Sequence, residues 1–213
     1  MPLINSEKRT IIVTGFGPFG SHKINASWQA VKLLPEMLDV DDLDVTLIVE
    51  EIPVDYEESV KRMSKLCEEH KPILVINVGV SALATEMTLE TCASKHGYVK
   101  PDTRGKVPSQ KECCLGETPR VSTNLALEKL VADLNNLEIG VNFCTSNNAG
   151  LYLCEFTYYT SLCLNKQNSL FVHIPDIGKP YTSEEAAKGL CAIIQLAVAQ
   201  VRGNIMGKTD VSV

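Results

Sequence analysis

Short runs of apolar, β-forming residues alternate along this chain with longer segments of helical periodicity. The predicted strands cover 10–14, 45–49, 73–78, 139–145 and 170–173. The predicted helices cover 26–37, 56–70, 123–134, 151–164 and 183–201, with N-caps expected near Asn25, Asp55, Ser122, Asn148 and Thr182. This alternation predicts one α/β domain, a three-layer α/β/α sandwich around a mostly parallel, twisted sheet. Its core is expected at about 10–201, with short tails completing the domain at 1–213.

Two regions depart from this alternation. The stretch TEMTLETC, 85–92, alternates apolar and polar residues like a strand. The stretch 94–120 is rich in glycine, proline and charge, and a connection of that length predicts a functional lid or a disordered excursion.

Charge and composition exclude several classes of partner. The net charge is −6 with scattered lysines and arginines, which argues against binding to nucleic acid. No stretch approaches the roughly 20 apolar residues that cross a membrane, and the segment MPLINSEKRT lacks the apolar part of a secretion signal. We therefore expect a cytoplasmic protein whose eight cysteines are reduced thiols.

The glycines of TGFGPFG, 14–20, match the dinucleotide-binding pattern G-x-G-x-x-G. In that motif a helix starts within the loop, but here Pro18 interrupts it and the first N-cap is Asn25. The candidate acidic residues for the ribose, Glu50 and Glu51, lie about 30 residues past Gly20 instead of the expected ~20. The pattern alone is thus weak evidence for a dinucleotide.

The two phenylalanines of this loop carry more information than its glycines. Phe16 and Phe19 follow the first strand at the edge where open α/β sheets bind ligands. Both rings could pack onto the core. Two rings on so open a backbone instead favour a slot for a flat, uncharged group.

A thiol and an imidazole are expected at the same edge of the sheet. His173 ends the apolar run SLFVHIP, whereas the other histidines are predicted to be surface residues: His22, His70 and His96. Cys154 falls in the first turns of a predicted helix, where the helix dipole and an imidazolium favour the reactive thiolate. Because the two residues come from consecutive strand–helix units, their strands are expected to be neighbours in a parallel sheet. A satisfied core histidine is the alternative for His173.

Glu90, in MTLETC, is the candidate acceptor for the second imidazole nitrogen. An unpaired carboxylate would be costly in its apolar setting. The pattern alone favours a different interpretation, in which Glu90 is an outward-facing strand residue.

A zinc site is the alternative use of the cysteines. It would combine Cys92, Cys113 and Cys114 with His96. No C-x-x-C pair exists, and two adjacent cysteines fit two corners of one tetrahedron poorly. The sequence thus argues against a metal.

Four separated blocks carry a resemblance to a known family: VTGFGPFGSHKINAS, VGVSALATEMTLE, NNAGLYLCEFTYYTSL and FVHIPDIGKP. Over about 11–201 the chain resembles the pyroglutamyl peptidase I (pyrrolidone-carboxylate peptidase) family of cytosolic cysteine peptidases, in its animal form. The resemblance implies a single α/β/α domain and a catalytic triad of Cys154, His173 and Glu90. It also implies a pocket for the lactam ring of an N-terminal pyroglutamate, formed by Phe16, Phe19, the backbone of Val80, Tyr152 and Leu153, with Val54 as a further position.

The implied activity is that of a thiol protease, an omega-peptidase that hydrolyses the bond after pyroglutamate through a thioester at Cys154. The resemblance implies that the enzyme needs no cofactor or metal and acts on peptides with an N-terminal pyroglutamate. We expect a monomer or a small homo-oligomer. Thr91 stands where bacterial members carry arginine and the animal form lysine, Asn147 and Asn148 replace the usual residues before the Ala-Gly turn, and 94–120 aligns poorly. A catalytically weak paralogue that binds pyroglutamyl peptides without efficient cleavage is therefore the alternative.

Overall fold

The central sheet has six strands in the order β2-β1-β3-β8-β4-β7. The computed structural model describes residues 8–20 and 23–209. The strands are β1 (Arg9–Phe16), β2 (Val45–Ile52), β3 (Leu74–Val80), β4 (Met87–Glu90), β5 (Cys92–Ser94), β6 (Arg120–Ser122), β7 (Phe143–Ser146) and β8 (Ser169–Ile174). β1, β2, β3 and β8 run parallel to one another, β4 pairs antiparallel with β8 and parallel with β7, and β5 and β6 form a separate antiparallel pair.

Helices cover both faces of this sheet. They are α1 (Ala26–Val31), α2 (Leu34–Met37), α3 (Tyr56–His70), α4 (Leu127–Asn135), α5 (Leu153–Leu164) and α6 (Ser183–Thr209). α1, α2, α4 and α6 pack on one face, whereas α3 and α5 pack on the other. The predicted mostly parallel α/β/α sandwich is therefore confirmed.

The apolar run of β1 explains why the sheet needs two helical layers. Ile11 and Val13 contribute to the core under α1 and α6, while Ile12 contributes to the core under α3 and α5. Successive side chains of a strand point to opposite faces, so a continuous apolar run requires cover on both sides. Burying each such side chain contributes about 1.5–3 kcal/mol.

Three predicted helices differ from the structure. The start expected at 123, with a cap near Ser122, is wrong, because α4 begins at Leu127 after Ala126, which makes no side-chain cap. The helix predicted at 26–37 is two short helices, because Pro35 cannot continue an α-helix and α2 begins anew around it. α5 begins at Leu153, after a turn in which Asn148 Oδ1 accepts a hydrogen bond from the Gly150 N–H, 3.2 Å. Gly150 has a φ of +77°, so the chain turns here before the helix can start.

Three predicted N-caps lie at or beside helix starts. Asn25 accepts from the N–H of Ser27, and Asp55 accepts from that of Glu58. Thr182 and Glu185 form a reciprocal capping box at the start of α6. These local side chain to backbone contacts are the part of helix geometry that sequence predicts well.

The expected pairing of the strands before Cys154 and His173 is wrong, because β4 lies between β7 and β8. β4 is the alternating stretch at 85–92, and it enters the sheet antiparallel to β8. This insertion places residues of β4 directly beside β8.

The stretch 94–120 is folded against α3 and α5. The Tyr98 ring is fully buried and lies 6.1 Å from the ring of Tyr56 and 5.1 Å from that of Phe156. The Asp102 carboxylate accepts hydrogen bonds from three backbone N–H groups, those of Tyr56, Arg104 and Lys106. The stretch is therefore a packed connection and not a disordered excursion.

Candidate active site

Three parallel strands end at one edge of the sheet. Phe16 ends β1, Val80 ends β3, and His173 is the penultimate residue of β8. Gly79 pairs with His173 across β3 and β8. This carboxyl edge is where open α/β sheets bind ligands.

The Cys154 sulfur lies directly on this edge. Cys154 is the second residue of α5, and a Cβ on Gly79 would come within 2.9 Å of its Sγ. The same Cβ would come within 2.7 Å of Cζ of Phe171. Only glycine at 79 lets the sulfur approach β3 so closely. The glycine within the apolar run INVGV was the signal in the sequence that could have identified this contact.

His173 and Glu90 form a buried pair. Nδ1 of His173 lies 2.8 Å from Oε1 of Glu90, and the two residues are 8% and 2% exposed. Thr88 pairs with His173 and Glu90 pairs with Phe171, so Glu90 and His173 are diagonal neighbours on one face. The interpretation of Glu90 as an outward-facing residue is therefore wrong. Tyr158 also holds this strand, since its hydroxyl donates to the Glu90 carbonyl, 2.8 Å.

The surroundings of His173 favour its charged form. Burial lowers the pKa of the imidazole, but the Cys154 sulfur, which hydrogen-bonds the ring, and the Glu90 carboxylate together raise it to about 10. The ring thus lies between a sulfur and a carboxylate, and both groups favour its protonated form.

A small cavity opens beside the Cys154 sulfur; we call it the ring slot. Its volume is about 190 Å³, and it is lined by Phe16, Phe19, Asn25, Val54, Val80, Tyr152, Leu153 and Cys154. All the residues expected to bind substrate therefore lie together in one cavity with Cys154. Among the described residues that line the slot, none is a carboxylate, a lysine or an arginine. Burial raises the pKa of Tyr152, whose hydroxyl donates to the Pro101 carbonyl.

The glycine-rich loop is held by the protein itself. The Phe16 N–H donates to Oγ of Ser27, 2.9 Å, and Nδ2 of Asn25 donates to the Gly17 carbonyl, 3.0 Å. A Cβ on Gly15 would come within 2.8 Å of the Trp28 backbone, so this glycine permits close packing of α1. The loop thus forms the wall of the ring slot, and the dinucleotide interpretation finds no support in it. Asn25 was predicted only as a helix cap; its closeness to the loop was the available signal.

A second cavity shares Val80 with the ring slot; we call it the leaving-side cavity. Its volume is about 330 Å³. It is lined by Val80, Ser81, Leu83, Ala84, Thr88, Glu90, Ser146, Asn148, Ala149, Gly150 and His173. Val80 lines both cavities, so the Cys154 sulfur and the His173 imidazole face adjoining spaces.

The residues of the zinc alternative make separate contacts. Nε and Nη2 of Arg120 donate to Cys92 Sγ at 3.1 and 2.9 Å, Cys113 Sγ lies 3.5 Å from a hydroxyl of α5, and His96 pairs with Glu112 at 2.7 Å. Within residues 8–20 and 23–209, no group of three or more potential metal ligands converges.

Two other histidines lie outside both cavities: His70 is exposed at the end of α3, and His96 is half-exposed. The prediction for His22 falls outside the described residues. A larger cavity of about 510 Å³ lies between α3 and the stretch 94–120 and includes none of the three candidate catalytic residues. None of the helices that the structure describes has the length and apolarity to cross a membrane.

Known proteins resemble this chain over most of its length. The pyroglutamyl peptidase family model matches residues 9–208. Pyroglutamyl-peptidase 1 of Rattus norvegicus is 41% identical over 189 residues, covering 88% of this chain and 89% of the rat chain. Human pyroglutamyl-peptidase 1-like protein is 32% identical over 71% of this chain and 76% of its own length.

Solved structures share the fold. A crystal structure of Pf-PCP superposes with a TM-score of 0.80 at 26% identity, covering 92% of this chain and 98% of that one. Pyrrolidone carboxyl peptidase of Thermus thermophilus superposes with a TM-score of 0.76 at 27% identity, covering 87% of this chain and 98% of that one. The chain belongs to the pyroglutamyl peptidase family of cysteine peptidases.

Proposed function

We propose that this protein hydrolyses the amide bond that follows an N-terminal pyroglutamate, with Cys154 as nucleophile, His173 as acid and base, and Glu90 as the group that orients His173. Membership of the family supports cleavage of N-terminal pyroglutamate. The observation that carries the finer proposal is the opening of an uncharged ring slot beside a sulfur that hydrogen-bonds a buried imidazole–carboxylate pair.

The ring slot suits a neutral lactam. A pyroglutamyl terminus is cyclised and carries no ammonium, so it needs apolar walls and a few hydrogen bonds. Phe16 and Phe19 would hold the ring, with Tyr152 and Leu153 beside it and the backbone of Val80 reading the lactam amide. An ordinary amino terminus would place an ammonium among described lining residues that include no carboxylate, at a high desolvation cost.

In the first step the Cys154 sulfur attacks the carbonyl carbon of pyroglutamate. The negative oxygen that forms lies near the first N–H groups of α5, which have no acceptors within the helix. His173 gives its proton to the departing amine as the C–N bond breaks, leaving a thioester on Cys154.

In the second step neutral His173 removes a proton from water, whose oxygen attacks the thioester. The C–S bond breaks and pyroglutamate leaves as a carboxylic acid. The proton that His173 took from water is then held by His173 or passed to the Cys154 sulfur, which restores the starting state. Glu90 stabilises the imidazolium on both occasions.

Release of aminomethylcoumarin from pyroglutamyl-aminomethylcoumarin tests the proposal. We expect turnover that a thiol alkylator blocks, and a loss of at least about 1,000-fold in Cys154→Ser. Cys191→Ser is the matched control, since Cys191 is a partly buried thiol on α6, and it should retain activity. Binding of a pyroglutamyl peptide without release would instead support the weak paralogue, and unchanged turnover in Cys154→Ser would remove Cys154 as nucleophile.

A cytoplasmic location belongs to the same proposal. All eight cysteines are free thiols, which suits a reducing compartment. Fractionation of cells that express the tagged chain tests this, and recovery in a secreted or membrane fraction would contradict it.

A further inference from the structure

The leaving-side cavity has a wall of defined chemistry that hydrolysis of the pyroglutamyl bond does not itself require. Apart from Glu90 and His173, the described lining residues are uncharged, and all of them except Asn148 are small or apolar. Two loops supply most of them: the turn after β3 and the turn after β7. We infer that this cavity binds the side chain of the residue after pyroglutamate, and that it selects an uncharged, preferably aliphatic residue and disfavours an acidic one. This inference rests on the proposed function.

The position of the cavity follows from the two reacting groups. The pyroglutamyl ring occupies the slot beside Cys154, and the departing nitrogen must reach the imidazole of His173. The scissile bond therefore passes Val80, which lines both cavities. The residue that carries the departing nitrogen then enters the leaving-side cavity.

Charge disfavours an acidic side chain at this position. Among the described residues that line the cavity, the only charged ones are Glu90 and His173, and these are paired with each other. The described lining contains no lysine or arginine. An aspartate in the cavity would therefore lose its hydration without gaining a cationic partner.

An exposed leucine favours an aliphatic side chain. Leu83 is 93% exposed and lies in the turn after β3, where the Ala84 N–H donates to the Ser81 carbonyl, 3.1 Å. A single exposed leucine is common on protein surfaces. This one, however, lines the same cavity as the buried Ala149, so an aliphatic substrate side chain bound there would remove apolar surface from water.

Three dipeptide amides test the selection, with pyroglutamate released in each case: pyroglutamyl-leucine amide, pyroglutamyl-asparagine amide and pyroglutamyl-aspartate amide. Asparagine and aspartate have the same shape and differ in charge. We expect kcat/KM to fall in the order leucine, asparagine, aspartate, with about tenfold between the last two.

Two variants act on the two features separately. Leu83→Ser should lower kcat/KM for the leucine substrate about fivefold and leave the asparagine substrate nearly unchanged. Ala84→Lys adds a cation to the lining and should raise kcat/KM for aspartate relative to asparagine. Leu137→Ser removes a leucine that is 48% exposed after α4, outside the cavity, and should change none of the three values.

The outcomes separate this inference from the proposed function. Hydrolysis of all three amides with equal kcat/KM, unaffected by Leu83→Ser and Ala84→Lys, would overturn the subsite while the peptidase stands. Failure to hydrolyse any pyroglutamyl amide would overturn the proposed function itself.

Discussion

Nδ1 of His173 lies 2.8 Å from Oε1 of Glu90, although 83 positions separate the two residues in the sequence. The contact exists because β4 pairs antiparallel with β8, which makes the two residues diagonal neighbours on one face of the sheet. Glu90 is almost completely buried, so water screens its contact with the imidazole only weakly. Glu90 is therefore one of the two groups that favour the charged form of His173.

Glu90→Gln should lower kcat about 100-fold with little change in KM, because an amide can hold the imidazole ring but cannot stabilise its positive charge. Steady-state kinetics on a pyroglutamyl amide measures both constants. Thermal unfolding of the variant checks that the fold is retained. A kcat within about twofold of the unsubstituted enzyme would exclude Glu90 from the reaction.

The raised pKa of His173 predicts the alkaline limit of activity. Because the sulfur and the carboxylate raise it from about 6.5 to about 10, the imidazolium persists through neutral pH and is lost as the pH approaches 10. The stabilisation from this charge is therefore complete below about 6.5 and disappears as the pH rises through about 10. Activity and the unfolding temperature should both fall at that alkaline limit.

Glu90→Gln tests whether His173 sets the alkaline limit of activity. It removes one of the two groups that raise the pKa of His173, so the alkaline limit of its residual activity should move to lower pH. An unchanged limit in the variant would show that another group sets it.

Gly79→Ala should impair the site while the sheet still forms. The new methyl group would lie within 2.9 Å of the Cys154 sulfur and 2.7 Å of the Phe171 ring, so one of them must move. We expect a loss of about 1–3 kcal/mol in stability and at least about tenfold in kcat. Gly203→Ala is the control, since a Cβ there meets nothing within 4 Å and should stabilise α6 by about 0.5–1 kcal/mol. Full activity in Gly79→Ala would show that the sulfur need not rest on β3.

Sequence could predict what depends on local patterns. The apolar run of β1 and the periodicity of α3 predict the layered fold, and the positions of Cys154 at a helix start and His173 at a strand end predict where each lies. The strand order could not be predicted in this way, because β4 inserts between β7 and β8 through contacts that no local pattern encodes. The burial of Glu90 follows from the same insertion, which is why its alternation alone suggested an exposed residue.

Substitution of the two slot phenylalanines should have different consequences. Phe16 is 3% exposed and its ring lies 6.5 Å from that of Phe171, so Phe16→Ala should cost about 3–5 kcal/mol in stability as well as substrate binding. Phe19 is only partly buried, so Phe19→Ala should mainly raise KM for pyroglutamyl substrates. Chemical unfolding and kinetics measure the two effects. An unchanged KM in Phe19→Ala would place the lactam elsewhere.

Arg120 should position the turn that precedes the nucleophile. Its guanidinium donates to Cys92 Sγ on β5 and to the carbonyl of Asn147, joining the β5–β6 pair to the turn between β7 and α5. Thr91, whose hydroxyl lies 3.5 Å from the same sulfur, carries no charge, so Arg120 is the cation in this contact.

Arg120→Met keeps much of the side-chain length and removes all the donors. The turn that Asn147 begins lines the leaving-side cavity with Asn148, Ala149 and Gly150 and leads into α5. Its loosening should therefore lower kcat/KM for a pyroglutamyl dipeptide amide about tenfold. Arg120→Lys should restore part of this activity, because one charged donor remains. Lys129→Met is the matched control, since it removes an exposed i,i+4 ion pair with Asp133 that contributes only about 0.3–0.5 kcal/mol. Equal kinetics in Arg120→Met and Lys129→Met would mean that the turn holds its shape without the guanidinium.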